Sequence, residues 1–218
     1  MHPSSQQNFN LFCDVYLEIL KPRKILEIGS LDVNGSIRNT CPKYAEFVGV
    51  DLEAGQGVDI VIDNPYYLPF PNGTFDCIVA SSVFEHSNFF WELFNEIMRV
   101  LSPGGLVYIN APSNGKVHRF PVDAWRFYPD AGSAMVEWSQ KKGHNSRLIE
   151  SYISEQKSTN NPDTQWNDWV GIFTKDTKKN EIINYPANIH SKLSNFIGLR
   201  TADKKVNIPT FEDTQDFN

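Results

Sequence analysis

Apolar positions along this chain follow two different rhythms. Over residues 8–20, NFNLFCDVYLEIL, Phe9, Phe12, Val15, Tyr16 and Ile19 recur at helical spacing, and Pro22 follows the end of the pattern. From residue 24 the rhythm becomes one of short, β-rich apolar runs bounded by turn residues. These are KILEIG (24–29), EFVGVDL (46–52), VDIVID (58–63), FDCIVAS (75–81) and GLVYIN (105–110). Their continuous apolar character suits strands covered on both faces, as in a parallel sheet. Between the fourth and fifth runs lies NFFWELFNEIMRVL (88–101), with Phe90, Phe94, Ile97 and Leu101 at helical spacing and SPGG to stop it. Strand alternating with helix predicts an α/β, Rossmann-like doubly wound sheet with helices on both faces.

Beyond NAPSNG the alternation breaks into KVHRFPVDAWRFYPDAG, rich in aromatics and carrying Pro121 and Pro129. A helix over 131–142 follows, then two more strands, RLIESYISE and DWVGIFTK. The sheet is therefore expected to be mostly parallel with one antiparallel strand. The reading gives one domain over 1–175, with an N-terminal helix (8–20) and an insertion over 114–130. Residues 176–218 form a polar, partly mobile C-terminal extension, in which IHSKLSNFIGL (189–199) reads as one helix.

Composition narrows the picture only at its edges. The 218 residues carry a net charge of −6, which argues against general nucleic-acid binding, a property that needs clustered Lys and Arg. Cys13, Cys41 and Cys77 are odd in number and lack metal-ligand spacing, so free thiols are expected. The start, MHPSSQQNFN, has no basic stretch leading into an apolar core, and no apolar run approaches the ~20 residues of a membrane span. A cytoplasmic protein is the expectation.

The first strand ends in a turn, GSLDVNGS, with Gly29 and Gly35 separated by five residues. In an open α/β sheet ligands bind at the carboxyl ends of the strands, where strand order reverses. The spacing misses the G-x-G-x-x-G of a dinucleotide fold, and no Gly-Lys-Ser/Thr follows, so the turn alone leaves a phosphate, an adenosine or a plain strand-to-helix turn open. The second run ends with Asp51, which can accept both hydroxyls of a ribose, and the third ends with Asp63, which can accept from the exocyclic amine of adenine. Each acid alone could be a solvated strand end. Two in succession after a glycine turn point to a nucleoside.

The middle of the chain, LPFPNGTFDCIVASSVFEH, and the segment RVLSPGGLVYINAPS resemble the class I S-adenosylmethionine-dependent methyltransferases, within their small methyltransferase-11-like group. The resemblance spans residues 20–175. The turn departs from that family's G-x-G-x-G: it resembles a variant in which Gly29 is kept and Asn34 and Gly35 stand in for the later glycines. The resemblance implies S-adenosylmethionine as cofactor and a role for each matching position. Glu27 and Gly29 would face its methionine portion, and Ser30, Asn34 and Gly35 would complete the loop. Asp51 would take the ribose hydroxyls, Leu52 would pack on the adenine, and Asp63 with Asn64 would lie at the adenine edge. Ser81 and Ser82 would flank the cofactor from the fourth strand.

A sulfonium methyl is already activated, so the protein must chiefly position the nucleophile, and a hydroxyl acceptor must also lose its proton. FEHS offers Glu85 and His86, and the insertion offers His118, Arg119, Asp123 and Arg126. His86 or His118 is the expected base, with Asp123 as the alternative; His86 could equally cap the helix after it. Trp125, Phe127 and Tyr128 could stack on a sugar ring or form a small core. The five histidines show no metal-ligand spacing, so no metal is expected. A small or medium acceptor, a hydroxyl of a sugar or surface glycan, is the expected substrate. A chain that keeps the cofactor pocket without chemistry is the alternative, and a nicotinamide oxidoreductase fits less well because the third glycine is missing.

Overall fold

The computed structural model describes residues 3–33, 35–154, 166–176, 189, 192 and 196–201. Helix α1 (Pro3–Phe12) continues through a π-helical turn (Cys13–Leu17) into a last α turn, α2 (Glu18–Leu20). Strands β1 (Lys24–Ile28), β2 (Glu46–Asp51), β3 (Ile60–Val61), β4 (Phe75–Ser81) and β5 (Leu101–Pro112) are parallel, with α3 (Phe90–Val100) between the last two. After α4 (Asp130–Lys141) come β6 (Ser146–Ser154), β7 (Asp168–Lys175) and β8 (Phe196–Arg200). They complete one eight-stranded sheet in the order β3-β2-β1-β4-β5-β7-β6-β8. β7 inserts antiparallel between β5 and β6, and β8 adds an antiparallel edge. Among the described residues no helix is long and apolar enough to cross a membrane.

The sheet is covered on both faces, as its apolar runs require. Leu26, Ile28, Ile78, Ala80, Val107 and Ile109 pack into one core with Leu93, Phe94, Ile97 and Met98 of α3. Their neighbours Ile25, Cys77, Val79, Leu106 and Tyr108 pack into a second core with Phe9, Phe12 and Tyr16. The cysteines are unpaired, with Cys41 and Cys77 buried.

Several boundaries depart from the sequence reading for identifiable reasons. The N-terminal helix starts at residue 3 because its first turns bury polar groups. Asn8 donates to Asn110 and Ser154, and Ser5 donates to Asp168, all inside the fold. The wider π-helical turn shifts the inner face, so Leu17 is buried while Ile19 is 47% exposed. Leu101 opens β5 instead of ending α3: the Lys175 ammonium donates to the carbonyls of Met98 and Leu101 at 2.9 and 2.8 Å and closes the helix there. β3 shrinks to two exposed residues at the sheet edge. Part of the helix expected over 189–199 is instead strand β8, whose pairing with β6 overrides the local helical pattern. The other described residues of that segment are Ile189 and Lys192, and most of the predicted extension lies outside the described residues.

The paired motifs of the middle segment have a mechanical basis. Arg99 of α3 donates to the carbonyls of Leu68 and Phe70, to Asn72 and to both oxygens of Glu96, while Glu96 also accepts from the Leu68 amide. The LPFPNG loop is thereby fastened to the helix preceding β5.

The turn after β1 is fixed by close packing. Gly29 sits at φ +73°, and a Cβ there would lie 2.3 Å from Val83 Cγ2. Gly57, at φ +90°, lets the Ser30 carbonyl approach to 2.4 Å from where its own Cβ would be. Gly29→Ala should therefore cost about 2–5 kcal/mol, combining left-handed backbone strain with overpacking. Adding Val83→Ala should recover the overpacking part, about 1–3 kcal/mol, and leave the backbone part. Urea denaturation of the two variants measures this, and an unchanged midpoint for Gly29→Ala would refute the packing account.

Candidate active site

The strand order reverses between β1 and β4, whose neighbours lead away in opposite directions. A cavity of about 610 Å³ opens at this point, on the carboxyl-terminal edge of the sheet. That volume suits a nucleoside-sized ligand with part of an acceptor. Its floor is the turn after β1, its near wall the end of β2, and its far wall the end of β4 under the insertion.

The turn is stitched to β2. The amides of Gly29 and Ser30 both donate to the Val50 carbonyl, at 2.9 and 3.1 Å. Asp51 Oδ2 accepts from the Leu31 amide at 3.0 Å, while Oδ1 accepts from the amides of Leu52 and Glu53. Asp51 thus holds the loop in place and still has acceptor capacity, since each carboxylate oxygen offers about two lone-pair sites. Asp32 accepts from the Gly35 amide at 2.7 Å and turns the loop back toward the cavity.

Polar atoms without partners gather at this end. Glu27 Oε2, Ser30 Oγ and Ser81 Oγ are buried and accept or donate no hydrogen bond. Burial pushes the Glu27 carboxyl up to about 8, with Arg38 opposing the shift and Asp32, Asp51 and Asp59 adding to it. A buried acid facing a cavity is poised to receive a cationic or hydrogen-bonding ligand group. Ser82 holds φ +58° and donates its amide to the Asn110 carbonyl at 2.9 Å. A non-glycine residue in that region is uncommon and belongs to sites that other contacts over-determine.

The opposite wall carries the titratable cluster. His86 Nδ1 donates to the Val122 carbonyl, which turns Nε2 toward Glu85. Asp123 is gripped by both terminal nitrogens of Arg126, at 2.6 and 2.8 Å, and accepts from the His118 amide at 2.8 Å. The Arg126 guanidinium holds its carboxyl well below the usual carboxylate range. His118 Nδ1 lies 3.4 Å from Asp123 Oδ2, while its Nε2 points to Glu85. Burial lowers the pKa of His86 and pushes the Glu85 carboxyl up to about 8.

Glu27, Gly29, Ser30, Gly35, Asp51, Leu52, Ser81, Ser82, His86 and His118 all line the one cavity. Asn34 lies outside the described residues. Asp63 and Asn64 are exposed and do not line it, although Ile62 and Pro65 beside them do. The Asn64 side chain accepts from the Tyr66 amide at 2.9 Å and so shapes the turn. Asp123 stands behind His118 and does not line the cavity. Trp125 and Phe127 form the small core, against Phe90, Trp91 and Trp169, and Tyr128 remains exposed. Sequence reasoning missed Val83, Tyr66 and Phe120 as lining residues, and Gly49 and Gly57 as the positions that let Ser30 close in. The glycines were visible in the sequence, but nothing local says which backbone approaches them.

The residues fit S-adenosylmethionine. Orphaned acceptors stand at the glycine loop, Asp51 waits at the end of β2, and apolar Val50, Leu52 and Ile62 line the wall between. Comparison with known proteins agrees. A methyltransferase domain family matches residues 18–109. No curated protein matches the sequence. Among solved structures, an S-adenosylmethionine-dependent methyltransferase from Archaeoglobus fulgidus is 15% identical, with 78% of this chain and 94% of that one covered at a TM-score of 0.55. The 1,6-didemethyltoxoflavin-N1-methyltransferase of Burkholderia thailandensis, solved with S-adenosylhomocysteine bound, is 11% identical over 79% of each chain at 0.55. The (4+2)-cyclase SpnF is 11% identical, with 79% of this chain and 82% of that one covered at 0.57. At such identities these likenesses concern the fold. Together with the family match over residues 18–109 and the fitted pocket, they make the chain similar in fold and in its matched segment to the class I S-adenosylmethionine-dependent methyltransferases.

Proposed function

We propose that the chain methylates a hydroxyl group of a small or medium-sized acceptor, a sugar or a surface glycan. The observation that carries this reading is the shared cavity. The imidazoles of His86 and His118 face the same space as the glycine loop and Asp51, on its opposite wall. Bound S-adenosylmethionine supplies a methyl group on a sulfonium that leaves by in-line displacement. In this reading Glu27 receives the ammonium of the methionine portion, Asp51 the ribose hydroxyls, and Leu52 the adenine face, with Asp63 and Asn64 near its rim. Ser30 and Ser81 offer their free hydroxyls between them. The cluster of His86, His118 and Asp123 relieves the acceptor hydroxyl of its proton, and Asp123 orients His118. Exposed Phe120 and half-buried Tyr66 give the rim flat apolar faces on which a sugar ring can rest. Resemblance to methyltransferases carrying NGS- and WRFYPD-like segments supports the same acceptor class.

Two outcomes test this reading. Incorporation of labelled methyl from S-adenosylmethionine into panels of sugars and glycans should find a hydroxyl acceptor. On that acceptor His118→Gln should lower turnover by roughly 10²–10⁴, the range for loss of proton-transfer assistance, with little change in affinity for S-adenosylhomocysteine. A panel methylated only on nitrogen, or a variant as fast as the parent, would refute it.

The Glu27 assignment predicts a proton linkage. The free carboxyl titrates at about 8, so it is largely protonated at pH 7. An ammonium beside it favours the ionised form, and binding must release a proton there. Affinity for S-adenosylhomocysteine should rise between pH 6 and 7.5, by at most about tenfold per unit, while the ligand ammonium stays charged. Calorimetry in buffers of different ionisation enthalpy measures the released proton. A pH-independent affinity, or the same slope in Glu27→Gln, would refute the assignment.

A further inference from the structure

Among the described residues, Glu85 is a buried acid with no hydrogen-bond partner. Its carboxyl is 1% exposed, yet neither oxygen makes a hydrogen bond. A buried carboxyl with no partner is costly, so its surroundings should hold something that pairs with it. What they hold is two imidazoles that stop short. His86 Nε2 lies 3.7 Å from Glu85 Oε1, and His118 Nε2 lies 3.9 Å from the same oxygen. Both distances are too long for hydrogen bonds. Each residue offers one ligand atom, and the three atoms lie within 4.8 Å of one another. Ligands bound tetrahedrally at about 2.0–2.1 Å sit about 3.3 Å apart, so closing this set around one ion takes a contraction of about half an ångström on the two pairs through Glu85 and an approach of the two imidazoles toward each other.

The outer contacts agree. His86 Nδ1 is committed to the Val122 carbonyl, and His118 Nδ1 faces the Asp123 carboxylate at 3.4 Å. Both rings are therefore oriented with Nε2 inward, the arrangement in which a metal-bound imidazole directs its other nitrogen to a carbonyl or carboxylate. Arg126, whose charge acts on Glu85 and His86, is engaged by both oxygens of Asp123 and by the carbonyls of Trp125 and Lys116. Two nitrogens and one carboxylate oxygen suit zinc or a similar first-row ion, and disfavour magnesium and calcium, which prefer oxygen throughout. Three protein ligands leave further positions open. Both histidines line the cavity, so those positions face the acceptor side.

We propose that Glu85, His86 and His118 form a binding site for a divalent first-row transition-metal ion that presents an open position to the methyl acceptor. Its use in catalysis rests on the hydroxyl-acceptor reading above. With the ion bound, His86 and His118 serve as ligands in place of their role as bases, and on coordination the acceptor oxygen releases its proton to water. That oxygen then forms the bond to the methyl carbon as the carbon–sulfur bond breaks and its electron pair stays on sulfur. The products are the methyl ether, S-adenosylhomocysteine and one proton, and the metal ion keeps its oxidation state.

The test uses the full chain without a histidine tag and Zn²⁺ as the probe, in competition with a chromophoric chelator. The parent should bind one equivalent. Glu85→Gln and His118→Ala should each weaken that binding by about 10²-fold or more, as expected when one of three ligands is lost. Asp123→Asn should weaken it by about 10–100-fold through the orientation of His118. Affinity for S-adenosylhomocysteine reports whether each variant is folded, and His118→Ala, in a partly exposed loop, serves if Glu85→Gln is not. Absence of stoichiometric binding, or binding indifferent to Glu85 and His118, would overturn the site. Zinc bound at these residues with no hydroxyl ever methylated would leave the site standing and refute the acceptor reading. Full methylation of a hydroxyl by metal-stripped protein would overturn the catalytic use alone.

Discussion

The structure depends on how closely the turn after β1 lies against the ends of β2 and β4. Parallel strands bring their carboxyl ends to one edge, but only a chain without side chains at Gly29, Gly49 and Gly57 can be laid along that edge. Val83 occupies the space a Cβ at Gly29 would need, and the Ser30 carbonyl occupies the space a Cβ at Gly57 would need. The amides of Gly29, Ser30 and Leu31 are consumed by Val50 and Asp51, which ties this part of the turn to β2. What remains unpaired there, Glu27 Oε2 and the hydroxyls of Ser30 and Ser81, is then available to a ligand. Gly29 thus serves the packing of the chain itself, and that packing shapes this edge of the cavity.

A second, independent construction supplies the opposite wall of the cavity. The insertion between β5 and α4 has little regular structure, and it is held by specific bonds instead. Arg126 grips Asp123, the Trp125 indole donates to the Ser87 carbonyl at 2.9 Å, and the Phe127 amide donates to the Pro112 carbonyl at 3.0 Å. The Ala124 amide donates to the Glu85 carbonyl at 2.8 Å, fastening the insertion to the short turn after β4. These contacts deliver His118 beside His86 with ring centroids 5.0 Å apart.

The strands and the cofactor edge were legible because they obey local rules. Doubly covered strands must be continuously apolar, and an acid at the end of β2 must sit beside the crevice if the sheet is parallel. Asp51 and Gly29 were therefore placed by periodicity and topology together, whereas Ser81 was placed by the family resemblance. The metal-ligand set was not legible. Glu85 and His86 are adjacent in sequence, but the third ligand comes from a separate loop, so no spacing announces it. Nor could spacing show that Glu85 is buried without hydrogen-bond partners, or that Asp123 stands behind His118. The polar inner face of α1 was missed for a related reason: Ser5 and Asn8 look solvated until their partners Asn110, Ser154 and Asp168 are brought beneath them.

A crystal structure with S-adenosylhomocysteine bound tests the central claim most directly. The account predicts ribose hydroxyls on Asp51, the amino-acid end against Glu27 and the Gly29 turn, and the sulfur facing the wall that carries His86 and His118. Ligand bound away from this edge of the sheet, or bound there with Asp51 and Glu27 untouched, would contradict it.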